Sequence, residues 1–168
     1  MKINPLKEQD IPNLVSSFAA HNWPKPRAIF EKYLEEQEAC ERKVWVAYFG
    51  EELAGYVTLK KHSYYPAFRE QNIPEIMDLN VLPPYRNKGI GSKLLEMAEK
   101  EAFKQNNVVG IGVGLYEGYG NAQKLYIAKG YVPDGLGITH NYQRVAYGEK
   151  VPLDDDLVLW FTKITNIG

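Results

Sequence analysis

Six consecutive residues, Arg86-Asn87-Lys88-Gly89-Ile90-Gly91, join two cations to two glycines where a strand pattern gives way to a helix pattern. Upstream, Ile76-Met77-Asp78-Leu79-Asn80-Val81-Leu82 reads as an apolar-alternating strand. Downstream, Leu94, Leu95, Ala98 and Ala102 fall on one side of a helix, and Lys93, Glu96, Lys100 and Lys104 on the other. The first N–H groups of a helix lack internal partners and sit at the positive end of its dipole. Gly89 and Gly91 let that backbone approach a ligand, and Arg86 and Lys88 add charge. The stretch is an anion cradle suited to phosphate or pyrophosphate. It is not a P-loop, because no G-x-x-x-x-G-K-[ST] run occurs. It is not a dinucleotide fingerprint either, because Leu94 stands where the third glycine of G-x-G-x-x-G belongs.

Arg86-x-x-Gly89-x-Gly91 does fit [QR]-x-x-G-x-[GA]. With Leu79-x-Val81-x-Pro83 before it and Ala122-x-x-Leu125-Tyr126-x-x-x-Gly130-Tyr131 after it, residues 73–131 resemble the acetyl-coenzyme A region of the GNAT (GCN5-related N-acetyltransferase) superfamily. The resemblance implies acetyl-coenzyme A as co-substrate, with N–H groups of Asn87, Lys88, Gly89, Ile90, Gly91 and Ser92 on its pyrophosphate. It implies that the main chain at Leu79 and Val81 pairs with the pantetheine arm and polarises the thioester carbonyl. It gives Tyr126 the role of acid toward the departing thiolate, a sensible transfer between groups with reference pKa values of ~10 and ~8.5. Some relatives carry asparagine seven residues before that tyrosine; Tyr119 stands there, and Asn121 is the nearby candidate for the coenzyme contact.

Glu75 lies eleven residues before Arg86, where the histone-acetyltransferase branch carries a glutamate base. On an ideal strand Glu75 shares a face with Met77, Leu79 and Val81, and Asp78 points the other way. Asp78, a water relay, and an amine that arrives already neutral remain alternatives for the proton's destination. His62 and His140 have no supporting spacing.

The elements that must position these residues read as follows. A short strand over 1–6 leads to a helix over 8–20, broken by His21-Asn22-Trp23-Pro24-Lys25-Pro26, and then to a second helix over 28–38. Segments 44–49 and 53–59 form a hairpin around Gly50-Glu51-Glu52. Residues 60–73 are an irregular, aromatic-rich loop. Residues 108–115 form a strand with Gly110, Gly112 and Gly114 on one face, which requires close approach of another group; in the resembled family that place admits the pantetheine arm. A helix over 120–129 ends at Gly130, 132–135 is a turn, 136–152 stays unassigned, and 157–161 is the last strand. This order predicts a mixed α/β (α+β) fold with a mostly antiparallel central sheet. The sheet is splayed at a parallel strand pair and flanked by helices, as in the GNAT fold, in one domain over 1–168.

Composition narrows the partners. A net charge of −1 over 168 residues and no basic patch interleaved with aromatics argue against nucleic acid. The single cysteine, Cys40, excludes an internal disulfide and a cysteine-based zinc site. Three adjacent acids, Asp154-Asp155-Asp156, rarely converge on one ion, so no metal is expected. No apolar run approaches the ~20 residues of a membrane span, and no signal-peptide pattern follows Met1, which predicts a cytoplasmic protein. The expected activity is acetyl transfer to a primary amine by direct attack in a ternary complex. The acceptor is a small molecule or a protein amino group, and a homodimer is allowed for. The alternatives are a non-catalytic coenzyme A-binding sensor or scaffold on the same fold, and a protein that uses the cradle for ATP or NAD.

Overall fold

The computed structural model describes residues 1–165 and has the mixed α/β architecture that the sequence predicts. Eight strands and five helices occur in the order β1 (Lys2–Pro5), α1 (Ile11–Ala20), α2 (Arg27–Glu38), β2 (Arg42–Phe49), β3 (Glu52–Lys60), α3 (Pro66–Glu70), β4 (Glu75–Val81), α4 (Ile90–Ala102), β5 (Val108–Gly114), α5 (Gly120–Ala128), β6 (Val132–His140), β7 (Gln143–Arg144) and β8 (Leu157–Ile164). The chain divides into two compact units that interleave in sequence: residues 1–61 with 76–101, and residues 62–75 with 102–168.

In the first unit the strands follow the order β1-β2-β3-β4. β2 and β3 form the antiparallel hairpin expected, in register from Arg42↔Lys60 to Phe49↔Glu52. Gly50 turns the chain at φ +66. The helix expected over 8–20 begins later. A 3-10 turn occupies Glu8–Asp10, and α1 proper starts at Ile11 with Pro12 in its first turn, where a missing N–H costs nothing. Ile11, Leu14 and Phe18 are buried along one stripe of α1, and Phe30 and Tyr33 along one stripe of α2. They pack into one core with Leu6, Val44, Val46 and Tyr56. Cys40, exposed at φ +60, lies just past the end of α2.

In the second unit the strands follow the order β5-β8-β6-β7, with β8 antiparallel to both β5 and β6. Within this unit the N–H of Gly110 on β5 donates to the carbonyl of Pro74 at 2.9 Å. The loop expected over 60–73 contains α3, a helix of five residues begun by Pro66 that buries only Phe68, too short for a helical period to show in sequence. The turn expected over 132–135 lies inside β6 as an irregularity. The register to β8 breaks between Pro133 and Ile138, with Gly135 and Gly137 at φ +82 and +78. β8 also extends three residues past the strand expected over 157–161.

Candidate active site

The cradle forms at the strand–helix junction of the first unit. Asn87 and Gly89 both take left-handed backbone, at φ +58 and +76, and alternate with residues that do not. Such alternation turns successive N–H groups inward on an anion. The first intrahelical bond of α4 runs from the Lys93 N–H to the Gly89 carbonyl at 3.1 Å, so the N–H groups of Ile90, Gly91 and Ser92 precede the ladder. A Cβ placed on Gly89 would meet nothing within 4 Å. That open space leaves the Gly89 backbone accessible, and with the alternating left-handed residues it fits a pyrophosphate. Arg86 donates through Nε to the Val81 carbonyl at 3.1 Å and lies 5.8 Å from the Trp23 ring centre. Lys88 Nζ sits 5.1 Å from the Phe49 ring and 5.5 Å from the Tyr85 ring. Aromatic faces thus hold both cations at the surface without neutralising them.

β4, which leads into the cradle, departs from the ideal strand. Asp78 has φ +52, the one non-glycine strand residue with left-handed backbone among the described residues. A residue there interrupts the alternation of faces, as bulges do. Parity along β4 therefore stops assigning faces at Asp78. Glu75 is buried, whereas Asp78 is exposed and accepts a hydrogen bond from Tyr33 Oη. Burial, with the Asp78 charge adding to it, pushes the Tyr33 phenol far above its ordinary value, so it stays a neutral donor.

The second unit carries the remaining candidates. Ser63 Oγ, 1% exposed, lies 2.6 Å from Glu75 Oε2, and Glu75 is 4% exposed. The same oxygen accepts the Tyr65 N–H at 3.0 Å, so its own hydrogen is directed to the carboxylate. Sequence reasoning missed Ser63; its signal was a local one, a serine two residues before the residue that precedes a helix-starting proline.

Tyr126 is buried near the end of α5, and the pattern around it is a helix terminus. Gly130, at φ +86, donates to the Ile127 carbonyl and Tyr131 donates to the Tyr126 carbonyl, both at 3.0 Å. This is the Schellman arrangement. Its usual apolar contact is here the Tyr126–Tyr131 ring pair, 5.9 Å between centres. Asn121 is exposed in the first turn of the same helix.

The glycines of β5 do admit close approach of other groups, as expected. A Cβ on Gly110 would lie 2.1 Å from the Phe68 ring, and one on Gly114 would lie 2.3 Å from the Tyr119 ring. The close approach they permit, in this unit, is by aromatic side chains. Tyr119 in turn donates to Asp155 at 2.9 Å, and Tyr116 does so at 2.7 Å. Of the three adjacent acids, Asp155 therefore serves these phenols. Asp154 and Asp156 lie with His140 so that one ligand atom from each falls within 4.8 Å of the others, and Asp154 is hydrogen-bonded to His140 Nε2 at 3.1 Å.

The structure thus brings Leu79, Val81 and residues 86–92 together in the first unit, and places Glu75, Asn121 and Tyr126 in the second.

Comparison with known proteins identifies the family. The model of the acetyltransferase (GNAT) family matches residues 10–131. An uncharacterized N-acetyltransferase of Archaeoglobus fulgidus is 36% identical over 66 residues, which is 39% of this chain and 44% of that protein, so the match spans less than half of the relative. Among solved structures, an N-acetyltransferase from Staphylococcus aureus Mu50 superposes with a TM-score of 0.71 at 18% identity, covering 97% of each chain. The ribosomal-protein-alanine N-acetyltransferase of Brucella melitensis gives 0.70 at 20% identity, covering 98% of this chain and all of that one. At these identities the structures share the fold alone. The fold is that of these acetyltransferases, and the chain belongs to the GNAT family of acetyltransferases. No helix among the described residues is long and apolar enough to cross a membrane.

Proposed function

We propose that the chain transfers an acetyl group from acetyl-coenzyme A to a primary amine by direct attack in a ternary complex. The observation that carries this reading is the cradle, with its alternating left-handed residues Asn87 and Gly89, its open face at Gly89 and its unneutralised cations. When bound, acetyl-coenzyme A supplies an activated thioester carbonyl and a thiol leaving group.

The chain's own residues do the rest. N–H groups from Asn87 to Ser92, with Arg86 and Lys88, hold the pyrophosphate. Arg86 already occupies the Val81 carbonyl, so Val81 contributes its N–H, and Leu79 offers its main chain to the acyl end. Asn121 adds a side-chain contact. Glu75, held by the hydrogen bond from the Ser63 hydroxyl, takes a proton from the acceptor ammonium, and the amine so freed attacks the thioester. Tyr126 gives its phenolic proton to the departing sulfur. The partner is an amine, free or on a protein, and neither nucleic acid nor membrane takes part. We read 1–168 as one domain working in the cytoplasm, with self-association left to measurement.

The test is calorimetric titration with acetyl-coenzyme A, coenzyme A, ATP and NAD, followed by turnover on a panel of amines. Tight binding of both coenzyme A forms with acetylation of an amine supports the reading. Binding without turnover on any amine would make the protein a coenzyme A sensor. Preference for ATP or NAD would reject the cradle's assignment.

A further inference from the structure

β4 spends conformational energy at one residue. Left-handed backbone for a non-glycine residue inside a strand is strained and persists where its surroundings over-determine it. Asp78 bears this strain at φ +52 and remains exposed. Its carboxylate is fixed from one side only: Tyr33 Oη donates to Oδ2, and Oδ1 has no partner among the described residues.

No cation of the described residues pairs with it. The nearest basic group in this network, Arg42, lies over the Tyr33 ring at 4.7 Å, not at the carboxylate. Arg42 is committed to Glu36 through Nε and to Thr58 at 2.7 Å. Lys60 is 3.4 Å from the same Glu36. The rings of Tyr33 and Tyr56 stand 6.3 Å apart in the core beneath this network, and Arg42 covers the Tyr33 face, so the position of the Tyr33 hydroxyl at Asp78 is fixed by packing. Both phenols are raised above their ordinary value, by burial first and by the charge of Asp78 next, so neither competes as an anion. Asp78 also directly precedes Leu79, so its backbone is one Cα step, ~3.8 Å, from the main chain assigned to the acyl end.

We infer that Asp78 is the specificity-determining anion of this enzyme: Oδ1, aimed by the Tyr33–Oδ2 bond, holds the acceptor amine in its ammonium form before the proton is removed. The inference rests on the proposed acetyl transfer for its meaning, but the binding step stands on Asp78 and Tyr33 alone. The acceptor class is a primary amine that arrives charged. Nucleophiles that are neutral at pH 7 gain nothing from Asp78.

The experiment uses the full chain and a panel of ammonium probes, methylamine, benzylamine, phenethylamine and spermidine, against the neutral nucleophiles hydroxylamine and aniline. Binding is read without turnover from the 13C carboxyl resonance of Asp78 on titration with each probe. Turnover is read as separate kcat and KM values for wild type, Asp78→Asn and Tyr33→Phe. Expected is a wild-type carboxyl shift with at least one ammonium probe. In Asp78→Asn the KM for that amine should rise about 10-fold or more. KM for acetyl-coenzyme A and the rate with hydroxylamine should stay as in wild type. Tyr33→Phe, which keeps the ring in the core, should give a smaller rise of about 3-fold. Equal losses with charged and neutral nucleophiles would assign Asp78 to strand structure and overturn the inference. A fall in kcat at unchanged amine KM would make it a proton acceptor instead, and also overturn it. No carboxyl shift in wild type with any ammonium probe overturns it outright. If ammonium binds at Asp78 but acetyl-coenzyme A does not bind, the proposed transfer fails and the cation site stands.

Discussion

Tyr126 shows how a chemical role and a structural one share the same letters. The run Leu125-Tyr126-x-x-x-Gly130-Tyr131 closes α5 through a left-handed glycine, and that closure seats the Tyr126 ring beside Tyr131 at 5% exposure. Tyr126→Phe keeps the ring and the helix end and removes only the hydroxyl. Its kcat should fall about 10- to 100-fold with little change in acetyl-coenzyme A affinity, at or below the usual yield of acid catalysis. Steady-state kinetics with chemistry shown to be rate-limiting checks this, and near-wild-type turnover would refute the role. Ser63 offers a second test at this scale. Its hydroxyl donates to Glu75 and fixes where that carboxylate sits, so Ser63→Ala should lower kcat about 3- to 10-fold with acetyl-coenzyme A affinity unchanged, and Ser63→Thr should restore it. Wild-type kcat in the folded alanine variant would separate the Ser63–Glu75 contact from the chemistry.

Between elements, α2 is tied to the hairpin by charge. Glu36 on α2 accepts from Arg42 on β2 and lies 3.4 Å from Lys60 on β3. Burial works against the Glu36 carboxylate, but Arg42 and Lys60 together outweigh it and hold the carboxyl below its ordinary value of 4.5. A carboxyl depressed in the folded state contributes stability that is present above pH 4.5 and is lost as the pH falls through its lower folded value. Glu36→Gln leaves Arg42, 4% exposed, without its anion. The variant should lose about 2–3 kcal/mol at pH 7, somewhat under the cost of breaking a fully buried pair. Denaturant melts at pH 7 and pH 3.5 are the measurement. The gap to wild type should shrink at the lower pH, and a gap that widens there would contradict the assignment.

At the scale of the whole molecule, the two compact units are not successive pieces of chain. The first is closed by 76–101 only after the chain has already entered the second at 62–75, and β4 begins in one and continues in the other. Units woven in this way lack the single linker along which domains separate, so one cooperative thermal transition is expected. A ligand of the native state should raise that transition. At 100 times its dissociation constant, acetyl-coenzyme A should add ~2.7 kcal/mol, or about 5–10 °C for a chain of this length. Gly89→Val should abolish the shift, because its side chain enters the open face of the cradle and strains a φ of +76. Scanning calorimetry with and without acetyl-coenzyme A tests both statements. An unchanged ligand shift in the folded valine variant would remove Gly89 from the site.

The sequence by itself determined what depends on neighbours along the chain. The anion cradle, the hairpin around Gly50, the amphipathic stripes of α1 and α2 and the helix end at Gly130 each follow from residues within a turn or two of one another. Their signals are local hydrogen-bond and φ requirements that particular side chains meet. Tertiary structure decided what depends on residues far apart. Nothing near Asp78 announces that it leaves the extended region; its partner Tyr33 lies on another element, 45 positions away, and read as core. Ser63 acquires meaning only because β4 brings Glu75 to it across a loop that shows no period. The β5 glycines were legible as a demand for close approach, but which group approaches was set by Phe68 and Tyr119 from separate segments. Alternation predicts a face only while a strand stays regular, and one left-handed residue, held by a contact the sequence does not display, is enough to interrupt it.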